Sequence, residues 1–148
     1  MWQFVSKYIS TIGVDFGVKP VQIGGKEVRV CFWDLAGHDD YLQIRNEFYS
    51  DAQGGILVFD VNNRSTFEAL QSWVDEARQH GAKDPSVVLC GNKVDLGGRK
   101  RDVSADEAAA WAKSKGFAYV ETSANSGDNV SSTFDDLFTQ VATKAGLV

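Results

Sequence analysis

Asp34 and Gly37 form an Asp-x-x-Gly pattern at the end of an apolar run. A carboxylate placed there can hold Mg²⁺ through water, and a glycine N–H three residues later can donate to a terminal phosphate. Thr11, at the start of an earlier β-branched run, could offer its hydroxyl to the same ion. The alternatives are a simple Asx-type turn at Asp34 and a residue that merely opens a strand at Thr11.

His38 directly follows Gly37, where a catalytic site would need a group to hold a water. An imidazole can hold a water, and its protonation and tautomer decide how. The alternative is an exposed loop histidine with no role. The sequence leaves both interpretations open.

Asn92-Lys93-Val94-Asp95 follows a second apolar run. An aspartate can accept from both N1–H and the exocyclic amine of guanine, whereas adenine would leave it unpaired. Asn92 can tie adjacent loops together, and the Lys93 stem can lie against a base. Alone, this pattern fits a polar turn equally well. Ser123-Ala124-Asn125 at a further strand end, where the Ala124 N–H could meet guanine O6, favours a guanine site.

The elements that would position these residues alternate in the order β-β-α-β-α-β-α-β-α. Short apolar strands between helices predict an α/β fold with a mainly parallel sheet, whose strand ends share one ligand-binding rim. Gly24-Gly25 predicts a hairpin turn, and Pro20 an edge strand. We expect capping boxes at Ser65/Glu68 and Ser104/Glu107. The expected strands are 11–23, 26–35, 54–61 (fully buried), 86–92 and 117–124, and the expected helices are 40–52, 65–81, 104–116 and 129–146.

Composition indicates one globular domain over residues 1–148. The net charge of −5 argues against a nucleic-acid partner, and the apolar runs are too short to span a membrane. Cys31 and Cys90 are expected to be buried, reduced thiols. With no signal peptide and no cysteine near the C-terminal "KAGLV", we expect a cytoplasmic location without a direct membrane anchor.

Four stretches, "KYISTIGVDF", "WDLAG", "GNKVDL" and "ETSAN", resemble the ordered motifs of the Rab family of Ras-superfamily small GTPases. "FVSKYISTIGVDFGV", "AGH" and "IRNEFY" are most similar to the RJL subgroup, some of whose members carry a J domain. The resemblance implies a P-loop NTPase fold, GTP/GDP and Mg²⁺ as ligands, and protein effectors and regulators that bind the switch regions.

The resemblance also implies roles for individual residues. It places Thr11 in switch I on Mg²⁺ and phosphate, and Asp34 and Gly37 in switch II. The guanine-binding set is Asn92, Lys93, Asp95, Ser123, Ala124 and Asn125, with Phe4 packed against the base. The aromatic triad that effectors sense is Phe16, Trp33 and Phe48, for which core packing is a compatible second role.

The sequence departs from the family at two places. His38 stands where the family has a glutamine that orients the attacking water, so we expect slow hydrolysis at best. No G-x-x-x-x-G-K-[ST] occurs; the single Gly-Lys pair, Gly25-Lys26, lies in the hairpin and precedes Glu27. We therefore expect a fold lacking the family's first strand, phosphate loop and most of the first helix. The strands at 26–35 and 54–61 would then be left with unpaired edges or forced together.

Two functions compete. The first is a Rab-like GTP/GDP switch in intracellular trafficking or signalling, with impaired nucleotide binding and hydrolysis. Under this hypothesis the given sequence is incomplete. The direct join of "MWQ" to "FVSKY" favours it. The second is a nucleotide-free pseudo-GTPase that acts as a protein-interaction module. A non-specific α/β domain is disfavoured by three correctly ordered motifs, and the absence of His-Pro-Asp gives no support for chaperone recruitment.

Overall fold

The computed structural model describes residues 4–96 and 101–148. Residues 1–3 are the Met-Trp-Gln whose join to "FVSKY" was interpreted from the sequence. They lie outside the described part, as do residues 97–100. The element order follows the predicted alternation of strands and helices. The predicted α/β fold, with a parallel sheet flanked by helices, is confirmed.

The first two strands form the predicted antiparallel hairpin. β1 (Val14–Ile23) pairs with β2 (Lys26–Leu35). The two-residue turn consists of Gly24 and Gly25, with φ angles of 56° and 78°. Positive φ at both central residues is what a tight type I′ hairpin turn requires, and only glycine adopts it without strain.

Three parallel strands form a second sheet in the order β3 (Gly54–Asp60), β4 (Ser86–Asn92) and β5 (Ala118–Glu121). β2 and β3 are not hydrogen-bonded to each other. Of the two outcomes expected from the sequence, the described residues show the first: the two sheets stay apart, each with an edge that faces no partner strand.

The predicted full burial of β3 is wrong. Phe59 is 1% exposed under Phe67, whereas the neighbouring Val58, on the opposite face, is 57% exposed. Leu137 and Val141 cover the start of that second face, where Ile56 packs in the same cluster and a Cβ added at Gly54 would lie 2.8 Å from a Val141 methyl. No described helix covers the far end of this face, so Val58 stays in solvent.

The helices differ from the prediction in three details. The segment expected to be helical over 40–52 holds only α1 (Leu42–Arg45), between 3₁₀ turns at Asp39–Tyr41 and Asn46–Phe48. The expected helix at 65–81 is split into α2 (Arg64–Glu68) and α3 (Leu70–Gln79). Its N-cap is Asn63, whose side chain accepts from the Ser65 N–H at 3.1 Å, so the capping box predicted at Ser65 is wrong.

The last two helices match the prediction more closely. α4 (Ala105–Lys115) begins at Ser104, whose hydroxyl accepts from the Glu107 N–H at 3.1 Å. Glu107 does not complete the box, because its carboxylate pairs with Arg64 at 2.7 Å. α4 ends at Gly116, whose φ of 77° suits a glycine cap. α5 (Val130–Lys144) follows, and no helix in the described residues is long and apolar enough to cross a membrane.

The C-terminal helix α5 holds the two sheets together. Phe138 and Ala142 pack with Ile23 and the inner side chains of the hairpin. Leu137 packs with Val88 and Cys90 of the parallel sheet. A third cluster fills the other face of the parallel sheet with residues of β3, β4, α2, α3 and α4, among them Phe59, Phe67, Leu70, Leu89, Ala108 and Ala112.

The cysteines lie in different environments. Cys90 is buried as predicted, and burial raises the pKa of its thiol to about 11. The predicted burial of Cys31 is wrong, because it is exposed. Val30 and Phe32 face α5, so the alternation of the strand turns Cys31 to the uncovered face of the hairpin.

Candidate guanine-nucleotide site

Asn92 joins the loops that follow β4 and β5. Its side-chain oxygen accepts from the Ala124 N–H at 3.0 Å and from the Thr122 hydroxyl at 3.3 Å. This is the tie between adjacent loops that the sequence suggested for Asn92. The Ala124 N–H, proposed from the sequence as a donor to guanine O6, already points at Asn92, so a base would have to share it.

Asp95 lies just beyond this tie, in the 3₁₀ turn Val94–Leu96. Its Oδ1 accepts from the buried Ser123 hydroxyl at 2.7 Å and its Oδ2 from the Asn125 amide at 2.9 Å. These two hydrogen bonds lower the pKa of the Asp95 carboxyl, so it is a fixed anion at neutral pH. Each oxygen retains a lone pair for a further donor, which fits the two adjacent N–H groups of a guanine edge.

Lys93 is held by two residues that the sequence analysis did not select. Its backbone is left-handed, with a φ of 68°. Its ammonium lies 2.8 Å from Asp60 Oδ2, and its carbonyl accepts from the Asn62 amide at 3.1 Å. Burial opposes ionisation of Asp60, but hydrogen bonds from Lys93 and Asn62 outweigh it and lower the pKa of that carboxyl. The available signal was their position, since Asp60 is the last residue of β3 and Asn62 lies two residues beyond it.

Thr11 and Asp34 lie together although 23 residues separate them. The Thr11 hydroxyl donates to Asp34 Oδ2 at 2.7 Å. A hydroxyl and a carboxylate oxygen are the hard ligands that Mg²⁺ prefers, so this pair fits the ion that the resemblance implies. No cluster of three or more His, Cys, Asp or Glu side chains suited to a metal occurs within residues 4–96 and 101–148.

The resemblance packs Phe4 against the base. Phe4 is exposed and lies outside regular secondary structure. Within the described part of the chain, no aromatic pair includes it. Gly37 is also exposed, in the turn that follows β2.

His38 caps the 3₁₀ turn Asp39–Tyr41. Its Nδ1 accepts from the Asp40 N–H at 3.3 Å, and its side chain is 71% exposed. An imidazole that accepts at Nδ1 carries its proton on Nε2 when neutral, so Nε2 can donate to a water but cannot accept from one. Neither interpretation from the sequence anticipated this capping role. Because Nδ1 is used for the cap, only the Nε2–H remains to bind a water, as a donor.

Arg45 is a buried cation that the sequence analysis missed. Its side chain donates to both oxygens of Glu76, each at 2.7 Å, and Glu76 also accepts from the Tyr49 hydroxyl at 2.7 Å. A further Arg45 nitrogen donates to the carbonyls of His38 at 2.8 Å and Ala36 at 3.3 Å. The Trp73 ring lies 4.8 Å below its guanidinium. The sequence held only a weak signal, an arginine and a tyrosine four residues apart in a short amphipathic segment.

This network shifts the pKa values of its members in a consistent way. The hydrogen bonds to Glu76 raise the pKa of Arg45, and those from Arg45 lower the pKa of Glu76. Burial, with the hydrogen bond to Glu76, raises the pKa of Tyr49. Arg45 and Glu76 are therefore a charged pair across the neutral range.

Phe16, Trp33 and Phe48 form one continuous aromatic surface. The Phe16 and Trp33 ring centroids are 4.4 Å apart, and those of Trp33 and Phe48 are 4.7 Å apart. Phe16 and Trp33 are each about half exposed. The three side chains therefore serve as packing and as an accessible surface at once.

Comparison with known proteins defines the class to which this fold and site belong. A family model described as the Ras family matches residues 2–143. The chain belongs to the Ras family of small GTPases, a family whose members bind guanine nucleotide and Mg²⁺.

The curated relatives include proteins named DnaJ homolog subfamily C member 27. Those from Danio rerio and Mus musculus are each 44% identical over 144 residues, and the one from Homo sapiens is 42% identical. Each alignment covers 94% of this chain and 52% of the relative. The chain thus spans about half the length of the curated relatives it matches.

Proposed function

We propose that the chain is a Rab-like guanine-nucleotide switch domain of the RJL type, whose partners are protein effectors and regulators. The observation that carries this proposal is the Asp95 carboxylate, held by Ser123 and Asn125 beside the tie between Asn92 and Ala124. Motif residues from two separate strand ends are brought together there in one base-reading site. The relatives' name, DnaJ homolog, supports the RJL subgroup within the family.

The second part of the proposal concerns the nucleotide affinity of these 148 residues. They contain base-reading residues and a Thr11–Asp34 pair suited to Mg²⁺, but no G-x-x-x-x-G-K-[ST]. That loop supplies the backbone N–H groups and the lysine that hold the β- and γ-phosphates. We therefore expect this stretch by itself to bind guanine nucleotide weakly and to hydrolyse GTP slowly.

Calorimetry with GDP and a non-hydrolysable GTP analogue, each with Mg²⁺, tests both parts. We expect a guanine-selective interaction weaker than micromolar, equivalent to less than about 8 kcal/mol of binding free energy. ADP is the matched control ligand, and Asp95→Asn is the matched variant, which should abolish the preference for guanine. Affinity of micromolar or tighter would contradict the expected weak binding, and equal binding of GDP and ADP would contradict the guanine site.

A second function is favoured by a different observation. The aromatic surface of Phe16, Trp33 and Phe48 is assembled, and Phe16 and Trp33 are each about half exposed. This supports a pseudo-GTPase that binds proteins without nucleotide. A complete absence of guanine binding in the same calorimetry, with partner binding retained, would select this function over the first.

We further propose a cytoplasmic location, with membrane association through protein partners. A role in intracellular trafficking or signalling follows from the Rab-like resemblance. Fluorescence imaging of the tagged chain tests the location, and membrane enrichment that survives loss of its protein partners would contradict it.

A further inference from the structure

Lys93 has a backbone conformation that a residue with a side chain rarely adopts. Its φ of 68° is left-handed, a region in which the Cβ atom causes strain. Such a conformation persists only where the surrounding groups hold it in place. Lys93 lies in the loop between Asn92 and Asp95, the carboxylate proposed to read guanine. The direction of the Lys93 backbone therefore sets where the Asp95 carboxylate points.

Asn62 holds the Lys93 carbonyl from the neighbouring strand end. Its side-chain amide donates to that carbonyl at 3.1 Å and also to Asp60 Oδ1 at 3.1 Å. The Asn62 N–H donates to the same Asp60 oxygen at 2.9 Å, so Asp60 orients the amide. The Leu96 N–H donates to the Lys93 carbonyl at 3.2 Å. Two donors therefore fix the direction of this carbonyl, one from its own turn and one from the end of β3.

Asp60 holds the other end of Lys93. Its Oδ2 lies 2.8 Å from the Lys93 ammonium, and its side chain is 17% exposed, whereas that of Lys93 is 53% exposed. The two oxygens of this partly buried carboxylate thus serve different groups: Oδ1 accepts from Asn62 and Oδ2 binds the ammonium. Because the ammonium is bound to Asp60 and the carbonyl to Asn62, Lys93 is fixed at both ends before a ligand arrives.

We propose that Asp60 and Asn62 are positioning residues for guanine recognition, which hold Lys93 in its left-handed conformation and so direct Asp95 toward the base. Both lie outside the two guanine-binding stretches that the sequence indicated, 92–95 and 123–125. They act on the base through Lys93. The effect on guanine binding rests on the proposed function, whereas the constraint on Lys93 rests on the contacts alone.

Backbone NMR of the protein without nucleotide tests the constraint on Lys93. The chemical shifts of Lys93 and Val94 report the local φ and ψ angles. Asn62→Ala removes a donor to the Lys93 carbonyl, so these shifts should move toward the values of an unstrained loop. Asn63→Ala is the matched control, because Asn63 is the next residue but its side chain bonds Ser65. Unchanged shifts in Asn62→Ala, or an equal movement in Asn63→Ala, would overturn the constraint.

NMR titration of the same variants with GDP and Mg²⁺ tests the effect on guanine binding, with ADP as the control ligand. Asn62→Ala should weaken GDP binding by about fivefold, the usual effect of one hydrogen bond, and Asn63→Ala by less than about twofold. Asp60→Asn keeps the size of the side chain but loses the charge opposite Lys93, and should weaken GDP binding by about the same factor as Asn62→Ala. Undiminished binding in either variant would overturn the role of the residue concerned. If Asn62→Ala does not fold, Asp60→Asn decides both measurements.

Lys93→Gly separates positioning from a general loss of structure. Glycine adopts a positive φ without strain, so in this background Asn62→Ala should weaken GDP binding by less than about twofold. A merely structural role of Asn62 predicts the same loss in both backgrounds, and that result would overturn the positioning role. If the unaltered protein does not prefer GDP to ADP, the proposed function fails, while the shifts of Lys93 and Val94 still decide the constraint.

Discussion

Asp95 illustrates how neighbouring side chains turn an exposed carboxylate into a fixed acceptor. Ser123 and Asn125 each occupy one lone pair on opposite oxygens. The carboxylate is thereby oriented before a ligand arrives, which reduces the entropy that binding must remove. Asp60 acts similarly on Lys93, so the base-reading loop is fixed at both of its charged residues.

His38 shows the opposite case, in which a side chain at a catalytic position is used for capping. A glutamine there can accept from a water and donate to a phosphate at once, whereas the capping histidine can only donate. We expect His38→Gln to raise single-turnover GTP hydrolysis, by up to about a hundredfold, the lower range for one positioned catalytic group. Phosphate release at saturating GTP is the measurement.

His80 provides the control for this substitution, because it caps the far end of α3 and is the only other histidine. His80→Gln should leave hydrolysis unchanged. Equal rates for the unaltered protein and His38→Gln would rule out His38 as the cause of slow turnover.

The helix starts carry a prediction at the scale of single elements. Asn63 satisfies the Ser65 N–H at the start of α2, while Ser65 lies inside the helix and donates its own hydroxyl to Asn63 at 2.8 Å. Asn63→Ala should lower the free energy of unfolding by about 1 kcal/mol, the usual cost of losing an N-cap. Ser65→Ala should cost clearly less in the same urea titration. A larger loss of unfolding free energy for Ser65→Ala than for Asn63→Ala would identify Ser65 as the cap.

The ion pair between α1 and α3 predicts how stability depends on pH. The folded-state pKa of Glu76 lies below its ordinary value because Arg45 donates to it. Its contribution to stability is therefore present above the unfolded pKa, about 4.3, and is lost as the pH falls through the folded value. Urea unfolding measured between about pH 6 and pH 3 should show this loss.

Glu76→Gln separates this contribution from general acid unfolding. At neutral pH it should destabilise the protein by about 3–5 kcal/mol, because a buried Arg45 is left without its counter-charge. Its unfolding free energy should then fall less steeply with acid than that of the unaltered protein. Parallel pH profiles for the two proteins would contradict the assignment to Glu76.

The motif residues at strand ends could be found from sequence, because parallel strands place their carboxyl ends at one rim. Asn92, Asp95 and Ser123 meet there as expected. The Arg45–Glu76 pair could not, since its partners lie 31 residues apart on elements whose docking is a tertiary property. The burial of Cys31 and Val58 was mispredicted for a related reason: an apolar run reveals a strand, but not whether each face is covered.

At the scale of the whole molecule, Val58 and Phe59 of β3 allow the stability contributions of an exposed and a packed position to be compared. Val58→Thr should change the free energy of unfolding by less than about 0.5 kcal/mol, as at an ordinary surface position. Phe59→Ala, on the packed face, should cost about 3–5 kcal/mol. Chemical denaturation of the two variants is the measurement. A loss above about 2 kcal/mol for Val58→Thr would show that this face is covered in solution.

The position of α5 has a consequence for how the protein is made. The hairpin is synthesised before α5, yet its apolar side chains pack on Phe134, Phe138 and Ala142 of that helix. At roughly 5–20 residues per second, the ribosome exposes the hairpin for several seconds before α5 emerges. During that interval the hairpin has no core to join. The apolar side chains of the hairpin therefore stay exposed until α5 emerges, and the two sheets assemble only after translation has passed α5.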